Sequence, residues 1–260
     1  MSYLLGCSLL FFNAAFAQND TLKKYSYLII AKTNGKDMPF GTCFFVRTKN
    51  NLFLASADHV ILRRDVNGND YEFHPDSFYV RCCDNKNKKF CLGIDTKEYK
   101  ENTPRVPKYM KTDIFLFKVK APAGAKIHSI EKLIDYSEDY TKKPDSVIVY
   151  GYGDDSIEGS LEDNNSATAV PNLRVGTIVD EIKKGIYFSV YNAVDTTLYS
   201  TTSEIVTGYS GSPVFLKYLS AKKKPRIIFG GVGQGADLVY HKGYIVRPDI
   251  FLKILKAKDK

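Results

Sequence analysis

The sequence predicts an all-β protein closed by a single C-terminal helix. Three observations carry that expectation. Short runs rich in β-branched and aromatic residues recur along the chain. Glycine, asparagine and proline turn signals separate them. Helical periodicity is convincing only near the C-terminus. Many short strands at regular spacing indicate a sandwich or a barrel.

The chain has 260 residues, enough to bury a sizeable core as one large domain or two small ones fused. With 44% apolar residues, 18 Tyr and 16 Phe, the composition excludes a disordered or collagen-like chain. Residues 1–17 stand apart. They hold no charged side chain, an apolar run from Leu4 to Phe12, and then Ala15-Phe16-Ala17. Small residues on either side of one position suit the narrow subsites of a signal peptidase, so this stretch reads as a secretory signal cleaved after Ala17. The run is too short for a membrane span. Leu4-Leu5-Gly6-Cys7 also looks like a lipoprotein box, but no apolar segment precedes it. A secreted or periplasmic protein is the expectation, without a membrane span.

Predicted strands follow at Tyr25–Lys32, Cys43–Arg47, Phe78–Cys82, Ile114–Val119, Ser146–Tyr150, Val175–Val179, Ile186–Tyr191, Arg226–Gly230 and Gly243–Val246. Asn34-Gly35, Asn67-Gly68, Pro122 to Gly124, Gly153-Asp154 and Lys184-Gly185 mark turns. The stretch Thr141 to Asp145 is the best boundary between two halves, 18–140 and 141–260. Asp65 to Glu72 is oxygen-rich, yet its glycine is misplaced for an EF-hand and Asn67-Gly68 is a strong hairpin turn. We expect no metal and no cofactor. Pro248-Asp249 opens the helix, with Ile250, Leu252, Ile254 and Leu255 expected inside and Lys253, Lys256 and Lys258 outside.

Cys7 leaves with the signal. An oxidising compartment would permit disulfides among Cys43, Cys82, Cys83 and Cys91. Cys91 with Cys82 or Cys83 is favoured, because Asp84 to Lys89 is polar and turn-rich between two strand-like runs. Cys43 lies in a strand pattern and reads as an inert buried thiol. The net charge is +8, with local concentrations at Lys222-Lys223-Lys224-Pro225-Arg226 and from Lys253 to Lys260. A solvated loop and a frayed helix end account for these; an anionic partner is the alternative.

Three segments carry chemistry. Thr207-Gly208-Tyr209-Ser210-Gly211-Ser212-Pro213-Val214 sets a serine between glycines before an apolar strand. An attacking hydroxyl needs a tight, exposed turn, and a substrate carbonyl must meet backbone N–H groups there, so bulk is unwelcome. Gly208 supplies that approach, and Gly211 lets substrate and backbone pass closely. Ala55-Ser56-Ala57-Asp58-His59-Val60 places a histidine among small residues at a strand's end, where a general base can be held. Asp58 beside it is expected to point to solvent, since strand-end side chains alternate. Lys111-Thr112-Asp113-Ile114 puts an acid just before a strand, where a carboxylate can orient an imidazole.

The order His59, Asp113, Ser210, with Gly41-Thr42-Cys43-Phe44-Phe45-Val46 and Gly208 to Val214, resembles the chymotrypsin-like serine peptidases, and most closely their bacterial branch that includes the glutamyl endopeptidases. The resemblance covers most of the chain after residue 25. It implies two six-stranded antiparallel β-barrels with a C-terminal helix, and a monomer that takes protein or peptide substrates and no nucleic acid. It implies a triad of His59, Asp113 and Ser210 and an oxyanion hole formed by the N–H groups of Gly208 and Ser210. Substrate would be bound by Glu204, Thr207, Gly231, Val232 and Gly233. Glu204 stands six residues before the serine, where trypsin-like enzymes keep the acid that selects Lys or Arg. Val232 stands where glutamyl endopeptidases place a histidine, which argues against specificity for Glu. Gly231 and Gly233 would leave the cleft open. Tyr209 replaces the acid that zymogen-forming relatives pair with a new N-terminus, so activation by that ion pair should be absent. The alternative is a catalytically silent relative that binds a protein or an anionic surface.

Overall fold

The computed structural model describes residues 21–62, 75–97, 112–136, 144–153, 157–158, 168–181, 198–203, 205, 207–220, 223–237 and 242–260. The signal expected at 1–17, the turns expected at Asn67-Gly68 and Lys184-Gly185, the strand expected at Ile186–Tyr191, and Glu204 lie outside the described residues.

Among the described residues the chain is mostly strand, arranged in two curled antiparallel sheets. The first holds β1 (Tyr27–Thr33), β2 (Lys36–Arg47), β3 (Leu52–Ser56), β4 (Ser77–Asp84), β5 (Lys89–Ile94), β6 (Phe115–Val119) and the two-residue β7 (Ala125–Lys126). Their order is β5-β4-β1-β2-β3-β6, with β7 beside β4. β1 and β2 form a hairpin on Asn34-Gly35, with Thr33 opposite Lys36. A short helix α1 (Asp58–Leu62) follows β3 directly.

The second sheet holds β8 (Ser146–Gly151), β11 (Asn172–Gly176), β12 (Ile178–Glu181), β13 (Leu198–Thr201), β14 (Pro213–Ser220), β15 (Lys223–Asp237) and β16 (Lys242–Val246). β9 (Ile157–Glu158) and β10 (Thr168–Ala169) make a separate ribbon. The order is β11-β8-β14-β15-β16-β13-β12. The run Val175–Val179, expected as one strand, is therefore two, broken at Thr177. β11 and β12 are the two ends of the sheet yet only one residue apart in sequence, so the sheet curls until its ends are consecutive. Thr177 makes the corner: its carbonyl accepts from the Thr202 N–H at 3.0 Å, and its own N–H donates to Thr202 Oγ1 at 2.9 Å. With β11 and β12 taken as one bent strand, and β7 set aside, each sheet has six strands. Two such half-barrels are compatible with a double barrel of the chymotrypsin kind.

Three clusters make up most of the core, beside a small one of Leu28, Ile30 and Tyr152. Ile29, Phe45, Leu54, Val80 and Phe115 fill the inside of the first sheet. Val147, Val149, Ile205, Tyr209 and Val214 fill the inside of the second. Between them lies a third cluster drawn from both: Phe44 and Leu116 from the first sheet, Ile148, Phe215 and Phe229 from the second, and Phe251 from α2 (Pro248–Lys258). Neighbouring strand residues face opposite ways, so Phe45 enters the first barrel while Phe44 meets the second. This double burial explains runs such as Cys43-Phe44-Phe45-Val46, which are apolar throughout instead of alternating. The Phe44 ring lies 5.5 Å from Phe229 and 5.7 Å from Phe251.

Three local expectations are corrected. The buried face of α2 is Pro248, Phe251 and Leu255, while Ile250, Leu252 and Ile254 are half-buried, because Phe251 is the side chain aimed at the inter-sheet cluster. All four described cysteines are free thiols. The β4–β5 hairpin forms as expected, but its register sets Cys91 opposite Arg81, Cys82 opposite Phe90 and Cys83 opposite Lys89. Cys82 thus faces inward while Cys91 faces out, and Cys83 and Cys91 meet only on a diagonal, too far apart for an unstrained bridge. Cys43 is buried, as expected, and burial pushes its thiol well up. Asp58 is also buried, because α1 starts there and turns it away from solvent. No helix among the described residues is long and apolar enough to cross a membrane.

Candidate active site

The site lies where the two sheets meet. β3 ends at Ser56 and α1 begins two residues later, so His59 sits in the first turn of a helix anchored to a strand end. Asp113 precedes β6, the neighbour of β3. A tight turn, closed by the Ile114 N–H donating to the Thr112 carbonyl at 2.8 Å, presents the aspartate. Its carboxylate takes two bonds from the same residue. Oδ1 accepts the His59 main-chain N–H at 2.8 Å, and Oδ2 lies 2.7 Å from His59 Nδ1. The first bond satisfies one of the free N–H groups at the start of α1. The second fixes the ring: a carboxylate can only accept, so Nδ1 carries a proton, and in the neutral ring Nε2 keeps its lone pair. Asp113 is 9% exposed and His59 23%, so the acid is shielded while the ring reaches solvent.

Ser210 comes from the turn that leads into β14. Two glycines shape it, Gly208 at φ +87° and Gly211 at φ +86°. These are backbone states that other residues adopt at a cost. Space forbids a side chain as well. A Cβ on Gly208 would lie 2.1 Å from the Tyr152 carbonyl oxygen, and one on Gly211 would lie 2.1 Å from both the Thr42 carbonyl oxygen and Ser56 Oγ. The room that Gly211 leaves is therefore taken by the first sheet itself, not by a passing ligand.

Thr42 joins the sheets at this point. Its N–H donates to the Ser210 carbonyl at 3.0 Å, and its hydroxyl donates to the Gly208 carbonyl at 2.7 Å. The same hydroxyl accepts the Tyr152 N–H at 2.9 Å, and the Thr42 carbonyl accepts from Ser56 Oγ at 2.8 Å. Among the described residues, neither the Gly208 nor the Ser210 N–H has a protein acceptor.

Gln234, on β15, is the second link. Its side-chain Nε2 donates to the Asp113 carbonyl at 2.8 Å, while its own carbonyl accepts from Ser210 Oγ at 2.8 Å. The serine hydroxyl therefore rests on Gln234, not on the His59 ring. Gln234 is 2% exposed.

The structure brings His59, Asp113, Ser210 and Gly208 into one region. Thr207 is exposed beside it. Gly231 and Gly233 are buried against their own neighbours: a Cβ on Gly231 would lie 2.0 Å from the Val246 carbonyl oxygen, and one on Gly233 would lie 3.4 Å from Ile205. Val232 is fully buried in the inter-sheet core. The pairing of β15 with β16 slips between Gly233 and Gly235, and it is Gln234, inside that slip, that meets Ser210. Sequence reasoning assigned no role to Thr42 or Gln234. The signal for Gln234 was present: one amide in a strand otherwise made of glycine and apolar residues from Ile227 to Gly235. No metal-holding group of three or more His, Cys, Asp or Glu occurs among the described residues. The chain matches no protein-family model and no curated protein.

Proposed function

We propose that the protein is a secreted serine endopeptidase of the chymotrypsin-like superfamily. The observation that carries this reading is the pair of bonds from His59 to Asp113, which fixes the ring with Nε2 as its free base, at the sheet junction that also holds Ser210. The Ser210 hydroxyl leaves the Gln234 carbonyl and gives its proton to His59 Nε2 as Oγ attacks the scissile carbonyl carbon. Asp113 stabilises the imidazolium that results. The negative oxygen of the tetrahedral intermediate accepts from the Gly208 and Ser210 N–H groups. Collapse breaks the C–N bond, and His59 returns the proton to the leaving amine. An ester on Ser210 remains. Water, deprotonated by His59, hydrolyses it and restores the serine.

A second reading, a catalytically silent protein that binds a protein or an anionic surface, draws on one observation: the serine hydroxyl is engaged by Gln234 at rest. A mixed peptide library separates the two. The chain lacking residues 1–17 is expected to cleave it, and Ser210→Ala to lose about 10⁶ in kcat. Cuts after Lys or Arg would give Glu204 the specificity role that the resemblance implies. Equal cleavage by both proteins, or none by either, would reject the peptidase reading.

A further inference from the structure

Tyr209 stands between Gly208 and Ser210, whose N–H groups would serve the oxyanion in the proposed reaction, and its own side chain packs inside the second sheet. The ring is fully buried and is among the largest side chains in the molecule to be so. It packs inside the second barrel with Val147, Ile205 and Val214. Two residues fix its place. Gly151, at the end of β8, leaves the space that the ring and Ser212 Oγ fill: a Cβ there would meet Ser212 Oγ first and lie 2.5 Å from Tyr209 Cδ1 and 2.9 Å from Cγ. Arg174, on β11, lays its guanidinium over the ring at 5.4 Å from the centroid. The Tyr209 carbonyl accepts the Ser212 N–H at 3.0 Å, which closes the turn around the serine.

We infer that Tyr209 is a positioning residue, its ring wedged against Gly151 and capped by Arg174 so that the Gly208 and Ser210 N–H groups are held ready for the oxyanion. The turn with left-handed backbone at Gly208 and Gly211 is tied by main-chain bonds through Thr42 and Gly233, which hold its carbonyls and the Gly211 N–H. Its one large side chain adds a second grip, from inside the second barrel. The cation over the ring face adds attraction that strengthens away from water. The grip is built from residues inside the fold, so the turn needs no new chain end to order it. This inference rests on the peptidase reading.

The test uses the chain lacking residues 1–17, with a peptide cleaved in the library experiment. Arg174→Ala, Gly151→Ala, Tyr209→Ala and Tyr209→Phe are compared with the wild type. Rates are counted per titrated active site, so that a loss of folded protein lowers the titre and leaves kcat alone. Arg174→Ala is expected to lower kcat by about 2- to 30-fold at constant KM, the range of a cation–π contact. Gly151→Ala, which crowds both the ring and Ser212 Oγ, should lower kcat further. Tyr209→Phe, which keeps the ring, should recover most of what Tyr209→Ala loses. Wild-type kcat per site in both Arg174→Ala and Gly151→Ala overturns the inference and leaves the peptidase reading standing. A wild type with no turnover overturns that reading and this inference with it.

Discussion

On the first sheet, His59 is held by two polar bonds from one carboxylate, at 2.8 and 2.7 Å, and every atom involved is a side chain or a helix-end N–H. On the second sheet, Ser210 is held by the shape of the main chain: two glycines with positive φ, carbonyls gripped by Thr42, and side-chain space occupied by the opposite sheet. His59 is thus placed by polar bonds and Ser210 by steric fit. Isosteric changes that spare volume should injure the first half through the rate alone. Added volume should injure the second half through stability and rate together.

The largest effect expected after loss of the serine itself is Asp113→Asn. It keeps the volume but lets an amide face Nδ1, which favours the wrong ring tautomer, and kcat should fall by about 10⁴ with little change in melting temperature. Steady-state kinetics beside thermal denaturation would check it. A large loss of stability would break the contrast drawn above. Next comes Gly211→Ala, whose Cβ would lie 2.1 Å from the Thr42 carbonyl oxygen in a backbone state that favours glycine. It should cost about 3 kcal/mol in urea unfolding and lower activity as well. Thr42→Val is milder. It keeps the shape but leaves the Gly208 carbonyl and the Tyr152 N–H without their partner, at about 2 kcal/mol by the same assay.

The smallest effect concerns the cysteines. Burial pushes the Cys82 thiol up to about 12, and Cys43 is also raised by burial. A raised thiol pKa keeps the group protonated and unreactive until the pH climbs towards it. At pH 8 iodoacetamide should modify the exposed Cys91 and the partly exposed Cys83 in the native protein. Cys43 and Cys82 should react only after denaturation. Mass spectrometry of native and unfolded samples would show whether four thiols are free.

Much of the architecture was legible because alternation and turn chemistry act locally. Asn34-Gly35 makes its hairpin, Asp84 to Lys89 makes another, and Pro248 opens the last helix. Other features depend on pairings that a linear pattern does not record. The break at Thr177 exists because the second sheet must turn a corner there. The depth of Phe251 is set by Phe44 and Phe229, some 200 and 20 residues away in sequence by rough count, whose rings it joins between the sheets. The cysteine pairing failed on register, since a single step along a strand changes the face. At the site, His59 and Ser210 could be singled out because each stands among small residues at a strand boundary, and Asp113 because it stands just before a strand. Asp58 was misplaced because α1 replaces a strand end. Val232 packs in the inter-sheet core, and the contacts of Gln234 with Ser210 and Asp113 depend on an irregularity in β15 that no linear pattern records.

The most direct test of the account is the site of covalent modification by a fluorophosphonate. The chain lacking residues 1–17 should take up one equivalent, with the adduct on Ser210 by peptide mass spectrometry. His59→Ala should slow that reaction by several orders of magnitude, since the hydroxyl then has no base. An unmodified wild type, or labelling at the same rate in His59→Ala, would contradict the claim that His59, Asp113 and Ser210 work as one unit.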